Sequence, residues 1–218
     1  MCIRDSIKEL QVTVLSEMWF EAARLAGFDV MTVIALRHPK EVVGSFTATA
    51  AGSPIIHISP ELAGAMWLKY TLLAERNTRG VPRVFVEYAN LLEDWRREVK
   101  RISTTLGVDL NTRNEDAIDE FLTPDLRHQR QSGAAPEVFG ANWVPRVYET
   151  VGAAARDESW DVAVLDEVFA AYQASERDFR RAFDDFNRNF KSVLLKPFIT
   201  RMASKADALI HRRSETWA

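Results

Sequence analysis

Cysteine is almost absent from this chain: Cys2 stands alone among 218 residues. That excludes an internal disulfide framework and any metal site built from several thiolates. Glycine is scarce at the start, with Gly27 the only one in the first 36 residues. No Gly-rich loop able to cradle a phosphate therefore precedes that point. Charge of one sign is not in excess either. A net charge of −3 argues against a nucleic-acid-binding protein, which needs a basic face. It leaves room for a small anionic ligand, because a pocket needs only a few local arginines. No run approaches the roughly 20 apolar residues that cross a bilayer. Residues 1–6 lack the apolar centre and cleavage site of a signal peptide, so a cytoplasmic location is the expectation.

What is present is core material. Hydrophobic residues make up 47% of the chain and aromatics 10%, enough for one packed α/β domain with an appended helix. Met1–Ser6 fits poorly with the amphipathic pattern that follows and reads as a non-native start, with an ordinary frayed terminus as the equal alternative. Residues 7–190 read as the α/β domain and residues 191–218 as a basic helical tail interrupted at Pro197. No internal repeat appears.

Val12, Leu15, Trp19, Ala22 and Ala26 recur at helical spacing, and Gly27 is a natural C′ residue. Residues 29–36 then form a nearly continuous apolar run, the pattern of a strand covered on both faces. Pro39 suits the first turn of a helix, where its missing N–H costs nothing. Ser59-Pro60-Glu61 reads as a cap, a proline at N1 and an acidic first turn, opening a helix that buries Leu62, Met66, Trp67, Tyr70 and Leu73. Residues 83–88 form a second short strand and residues 89–106 a helix closed by Gly107. Two helix–strand–helix passages in succession imply crossover units and a parallel sheet. Beyond residue 110 the pattern is helical or irregular, with a short helix over 115–122 and a polar loop after it. The longest helix covers about 160–190, with Leu165, Val168, Phe169, Tyr172, Phe179, Phe183 and Phe186 as an expected core stripe.

The segment richest in chemistry is Arg37-His38-Pro39-Lys40-Glu41-Val42-Val43-Gly44-Ser45-Phe46, directly after the first strand. Ligands of doubly wound sheets sit at the carboxyl ends of strands, and Arg37 falls at such an end. A guanidinium grips two phosphate oxygens at once, which a lysine cannot do. Ser45 lies about two turns into the helix, roughly 9 Å along its axis, and reaches only an anion that sits beside the helix. Spacing alone favours a plainer account, an arginine capping a strand and a serine on a solvated helix face.

Strand, Arg-x-Pro and a serine eight residues after the arginine resemble the segment with which sulfotransferases hold the 3′-phosphate of 3′-phosphoadenosine 5′-phosphosulfate. Trp67-Leu68-Lys69-Tyr70, Ala74-Glu75, Arg79-Gly80, Val84-Phe85-Val86-Glu87-Tyr88, Leu91-Leu92, Trp95 and Leu106-Gly107-Val108 form a second block similar to bacterial members. Phe121-Leu122-Thr123-Pro124-Asp125-Leu126-Arg127-His128 resembles the family's late, active-site-proximal segment. The blocks span about residues 10–186. The resemblance implies a P-loop-NTPase-like three-layer sandwich with an incomplete parallel sheet and a helix-rich C-terminal half. It also implies Arg37 and Ser45 as donor-binding residues, the phosphosulfate as co-substrate without a metal, and a small-molecule or glycan acceptor. The chain departs from the family pattern upstream, where the Gly-rich phosphosulfate loop is missing. The expectation is a fragment that retains half the donor site.

Sulfuryl transfer needs a base for the acceptor hydroxyl and cations for the departing phosphate. His128, flanked by Arg127 and Arg130, is the catalytic candidate, with a solvated basic loop as the plainer account. His57 reads as a structural loop histidine. Glu87 and Tyr88 lie at the carboxyl end of the second strand, although Glu87 can also pair with Arg83, four residues away. Trp67 and Tyr70 read as a core pair, with an acceptor-pocket lining as the alternative. No cluster has metal-ligand spacing. The tail reads as a solvated terminal helix, with weak contact to a membrane surface or a protein through Lys191, Lys196, Arg201, Lys205, Arg212 and Arg213 as the alternative. The alternative function is a non-catalytic α/β binding module acting through that tail. A phosphoryl-transferring kinase fits least, for want of a P-loop lysine and a magnesium-holding aspartate.

Overall fold

The computed structural model describes the backbone of residues 6–7, 10–52, 58–110, 115–122 and 141–214. It divides into two units, one ending at Val168 and one beginning at Phe169. The first unit is mixed α/β and mostly helical. Its described elements are α1 (Leu10–Val14), α2 (Ser16–Leu25), β1 (Thr32–Leu36), α3 (Pro39–Ala51), α4 (Pro60–Asn77), β2 (Arg83–Glu87), α5 (Tyr88–Glu93), α6 (Trp95–Leu106), α7 (Glu115–Phe121) and α8 (Trp143–Ala155). α9 (Val162–Ser214) starts in the first unit and forms the second.

The two strands pair in parallel, with Ile34 opposite Phe85 and Leu36 opposite Glu87. Side chains alternate along a strand, which divides β2 into two faces. On one, Val84 and Val86 pack with Ile102 of α6 and with Leu91 and Leu106. On the other lie Arg83, Phe85 and Glu87, which meet Glu75 of α4, Trp160 and Tyr148 of α8 respectively. Helices therefore cover both faces of β2. β1 is covered on one face only, contrary to the expectation from its apolar run. Ile34 and Leu36 are buried on the α4 and α8 side, whereas Val33 on the α6 side remains 50% exposed. Among the described residues, α6 packs on β2 and leaves that face of β1 open.

Local chemistry sets the element ends. Gly27 (φ 82°) and Gly107 (φ 66°) take the left-handed conformation after α2 and α6, where a side chain would be strained. The Ser59 hydroxyl accepts from the Leu62 N–H at 3.1 Å, as its capping position suggested. The helix expected over 89–106 breaks at Asp94, whose carboxylate accepts from the Arg97 N–H at 3.0 Å and so starts α6. The buried stripe of α4 is rotated from the expected one. Leu62 is exposed, and Trp67, Leu68, Leu72 and Glu75 face inward.

Two further expectations are overturned in α9. Phe179, Phe183 and Phe186 are exposed and not core, because no other described element of the second unit covers their face. The helix also continues through Pro197. A proline removes one i→i−4 bond, a loss that a long helix can absorb as a bend.

Glu75 ties α4 to β2. It is 1% exposed, accepts from Arg79 at 2.7 Å and from Arg83 at 3.0 Å, and sits under the Arg83 guanidinium that stacks on Phe85 and Trp160. Arg79 reaches onward to Asp166 at 2.9 Å. A buried carboxylate is tolerated only when paired, and removing one partner strands the other. Glu75→Ala is expected to destabilise the fold by about 3–5 kcal/mol, read as a lowered urea midpoint with an unchanged slope.

Candidate functional site

Because β1 and β2 are parallel and in register, both chains leave the sheet at the same edge. Arg37 and His38 follow β1 there, and Tyr88 follows Glu87 at the end of β2. Trp67 on α4 pins the β1 end, its indole N–H donating to the Arg37 carbonyl oxygen at 3.0 Å. His38 caps α3: its Nδ1 accepts from the Lys40 backbone N–H at 3.2 Å, which requires that nitrogen to be unprotonated. Pro39 then occupies the first turn, as expected.

The Arg37 Nε–H donates to Glu41 Oε2 at 3.1 Å, and the guanidinium lies 5.4 Å from the centre of the Tyr88 ring. Glu41 is 1% exposed, while the Arg37 side chain remains 31% exposed. The carboxylate is thus the buried partner and the guanidinium the one that meets solvent. The bond engages Nε; the guanidinium carries its other N–H donors on the two Nη atoms. Ser45 follows Glu41 by four residues, so the two share a face of α3, with Ser45 about one 5.4 Å turn farther along. Ser45 is half-buried, and its carbonyl accepts from the Thr49 hydroxyl at 2.9 Å. The two donor-site residues read from the sequence therefore lie along one side of α3.

Sequence reasoning missed Tyr148, and with it the second half of the site. α8 brings this phenol to the strand ends, where its O–H donates to Glu87 Oε1 at 2.6 Å. The Tyr148 ring sits edge-on to His38 (4.8 Å between centres) and to Trp67 (6.2 Å). Glu87 thus bonds Tyr148, while Arg83 bonds Glu75, so of the two readings of Glu87 the pairing with Arg83 is not the one made. Burial raises the Tyr148 phenol above its ordinary value, and the bond to Glu87 adds to the rise. Tyr148 therefore remains the donor of this bond at neutral pH. The signal available for α8 was the 3–4–3 spacing of Val144, Val147, Val151 and Ala154, all buried. Arg37 and Glu41 stand four apart in the sequence, a helical ion-pair spacing that was equally readable.

His57 and His128, with Arg127 and Arg130 beside the latter, lie outside the described residues. Among the described residues no group of His, Cys, Asp or Glu is arranged to hold a metal ion. No described helix is long and apolar enough to cross a membrane.

Tyr148→Phe removes one hydrogen bond to a charged acceptor at a half-buried position and is expected to cost about 1–2 kcal/mol at pH 7. The folded phenol titrates higher than the unfolded one, so the unfolded chain loses this proton first as pH rises. The contribution is full below about pH 10, the unfolded value, and is lost as pH climbs toward the folded value. Wild type and Tyr148→Phe should therefore converge in stability above pH 10, as measured by urea unfolding across that range.

In comparisons with known proteins, the chain matches no family model, no curated protein and no solved structure.

Proposed function

We propose that this chain carries the 3′-phosphate side of a phosphosulfate donor site and serves sulfuryl transfer to an acceptor hydroxyl, on a P-loop-NTPase-like sandwich. One observation carries the reading: Arg37 stands at the carboxyl end of a parallel strand, on the same side of α3 as Ser45. In this reading the Arg37 Nη donors and the Ser45 hydroxyl bind the 3′-phosphate of 3′-phosphoadenosine 5′-phosphosulfate. The phosphate shares the guanidinium with Glu41, so the interaction is weaker than with an unpaired arginine.

Glu87 supplies a base at the same edge. Its carboxylate takes the proton of the acceptor hydroxyl as the acceptor oxygen bonds to sulfur. The bond from sulfur to the 5′-phosphate oxygen breaks, and adenosine 3′,5′-bisphosphate departs with that electron pair. Tyr148, kept protonated, orients the carboxylate. His128 is the other candidate for the base. The acceptor is a carbohydrate or small metabolite.

A second reading is a non-catalytic α/β module that binds a partner through its helical tail, residues 191–218; the exposed Phe179, Phe183 and Phe186 precede that tail on the same helix α9. Calorimetric titration with adenosine 3′,5′-bisphosphate separates the two. Arg37→Ala would strand the buried Glu41, so Arg37→Lys, which keeps the charge but not the fork, is the cleaner variant. Arg37→Lys and Ser45→Ala are each expected to weaken binding roughly tenfold, the loss of one charge-assisted bond. Absence of binding to the wild-type chain, or binding unchanged in both variants, would sink the donor-site reading and leave the module.

A further inference from the structure

Three buried carboxylates of the first unit hold arginines, and one of them does so differently. Glu75 takes Arg79 by its fork, with Nε at 3.0 Å and Nη2 at 2.7 Å, and takes Nη2 of Arg83 at 3.0 Å. Glu98 takes Arg101 at Nε (3.1 Å) and Nη2 (2.9 Å), while Asp157 takes its Nη1 at 2.9 Å. Those guanidiniums are engaged within the fold. Glu41 takes Arg37 at Nε alone, at 3.1 Å. Among the described residues no acceptor stands on either Nη atom of Arg37.

Three elements nonetheless fix this arginine. α4 holds its carbonyl oxygen through the Trp67 indole N–H at 3.0 Å, and α3 holds its Nε through Glu41. The Tyr88 ring, just after β2, lies 5.4 Å from the guanidinium. A carboxylate on Nε blocks the side of the guanidinium, where Nε and one Nη donate together. It leaves the end, where both Nη atoms can donate to one oxyanion. Holding the head in place also lowers the side-chain ordering that binding would otherwise cost.

Glu41 therefore acts in two opposed senses. It aims the fork, which favours binding, and its negative charge opposes an incoming anion. At 1% exposure that charge is poorly screened. The charges of Arg37 and Glu41 sum to zero, so an anion meets a neutral pair and not a bare cation.

We propose that Glu41 is the positioning residue of this strand-end anion site and the group that keeps its hold on the anion weak. The proposal deepens the donor-site reading, from which it takes only the identity of the anion. On that reading, the step it serves is release of adenosine 3′,5′-bisphosphate.

The test is calorimetric titration of the full chain with adenosine 3′,5′-bisphosphate and, separately, with inorganic sulfate. Glu41→Gln and Glu41→Asp are run beside the wild type, with urea unfolding to confirm the fold. Glutamine keeps an oxygen acceptor for Nε and drops the charge; aspartate keeps the charge and withdraws from Nε. The expected result is a shift in opposite directions: Glu41→Gln binds roughly three- to tenfold tighter and Glu41→Asp weaker by a similar factor. A residue with a structural role alone would not tighten binding when replaced. A folded Glu41→Gln that binds no tighter than wild type overturns the proposal, as does a Glu41→Asp that binds as tightly. If Glu41→Gln does not fold, Glu41→Asp decides alone. Sulfate binding with this order of variants, and no nucleotide binding, keeps the proposal and removes the donor-site reading. A wild type that binds neither anion overturns both.

Discussion

The parallel pairing of β1 with β2 is the constraint on which the rest of the first unit depends. Parallel strands in register bring two chain exits to one edge, and here the exits carry Arg37, His38, Glu87 and Tyr88. An antiparallel pairing of the same strands would send the two exits to opposite edges. The pairing also assigns faces. It aligns Ile34 and Leu36 with Phe85 and Glu87, so that one set of helices, α4 and α8, serves both strands. On the opposite face α6 serves β2 alone, which is why Val33 stays exposed while Val84 and Val86 are buried.

Around that pair, buried carboxylates do much of the positioning. Glu41, Glu75 and Glu98 are each 2% exposed or less, and each holds an arginine. Glu75 binds Arg83 to α4. Glu98 holds Arg101, which also donates to the Phe85 carbonyl and reaches Asp157 at 2.9 Å. Glu41 holds Arg37 at the sheet edge. A buried ion pair of this kind adds little net stability, but losing one partner is costly because the other is left in a poor solvent. The Arg37–Glu41 pair thus combines a structural role with a guanidinium that still meets solvent. That combination suits an arginine that must be held in place before an anion arrives.

How much of this was legible in the sequence depended on how local each signal was. Pro39, Ser59, Gly27 and Gly107 act within one helical turn, and each marks the boundary its chemistry suggests. Arg37 at a strand end followed from the apolar run before it. Features set by distant packing were not readable in the same way. The rotated stripe of α4 reflects what β2 and α8 present to it, and the open face of β1 reflects how far α6 extends. The phenylalanines of α9 have core spacing in sequence, yet spacing alone cannot distinguish a buried face from an exposed one. Tyr148 was missed because its role depends on Glu87, 61 residues earlier.

The central claim is that the strand-end arginine and the serine one turn beyond its buried carboxylate form a phosphate site. A crystal structure of the chain with adenosine 3′,5′-bisphosphate tests it most directly. The account predicts the 3′-phosphate beside α3, within hydrogen-bond distance of the Arg37 Nη atoms and Ser45 Oγ, with Glu41 still on Nε. Nucleotide bound elsewhere, or a strand edge left empty at saturating ligand, would contradict it.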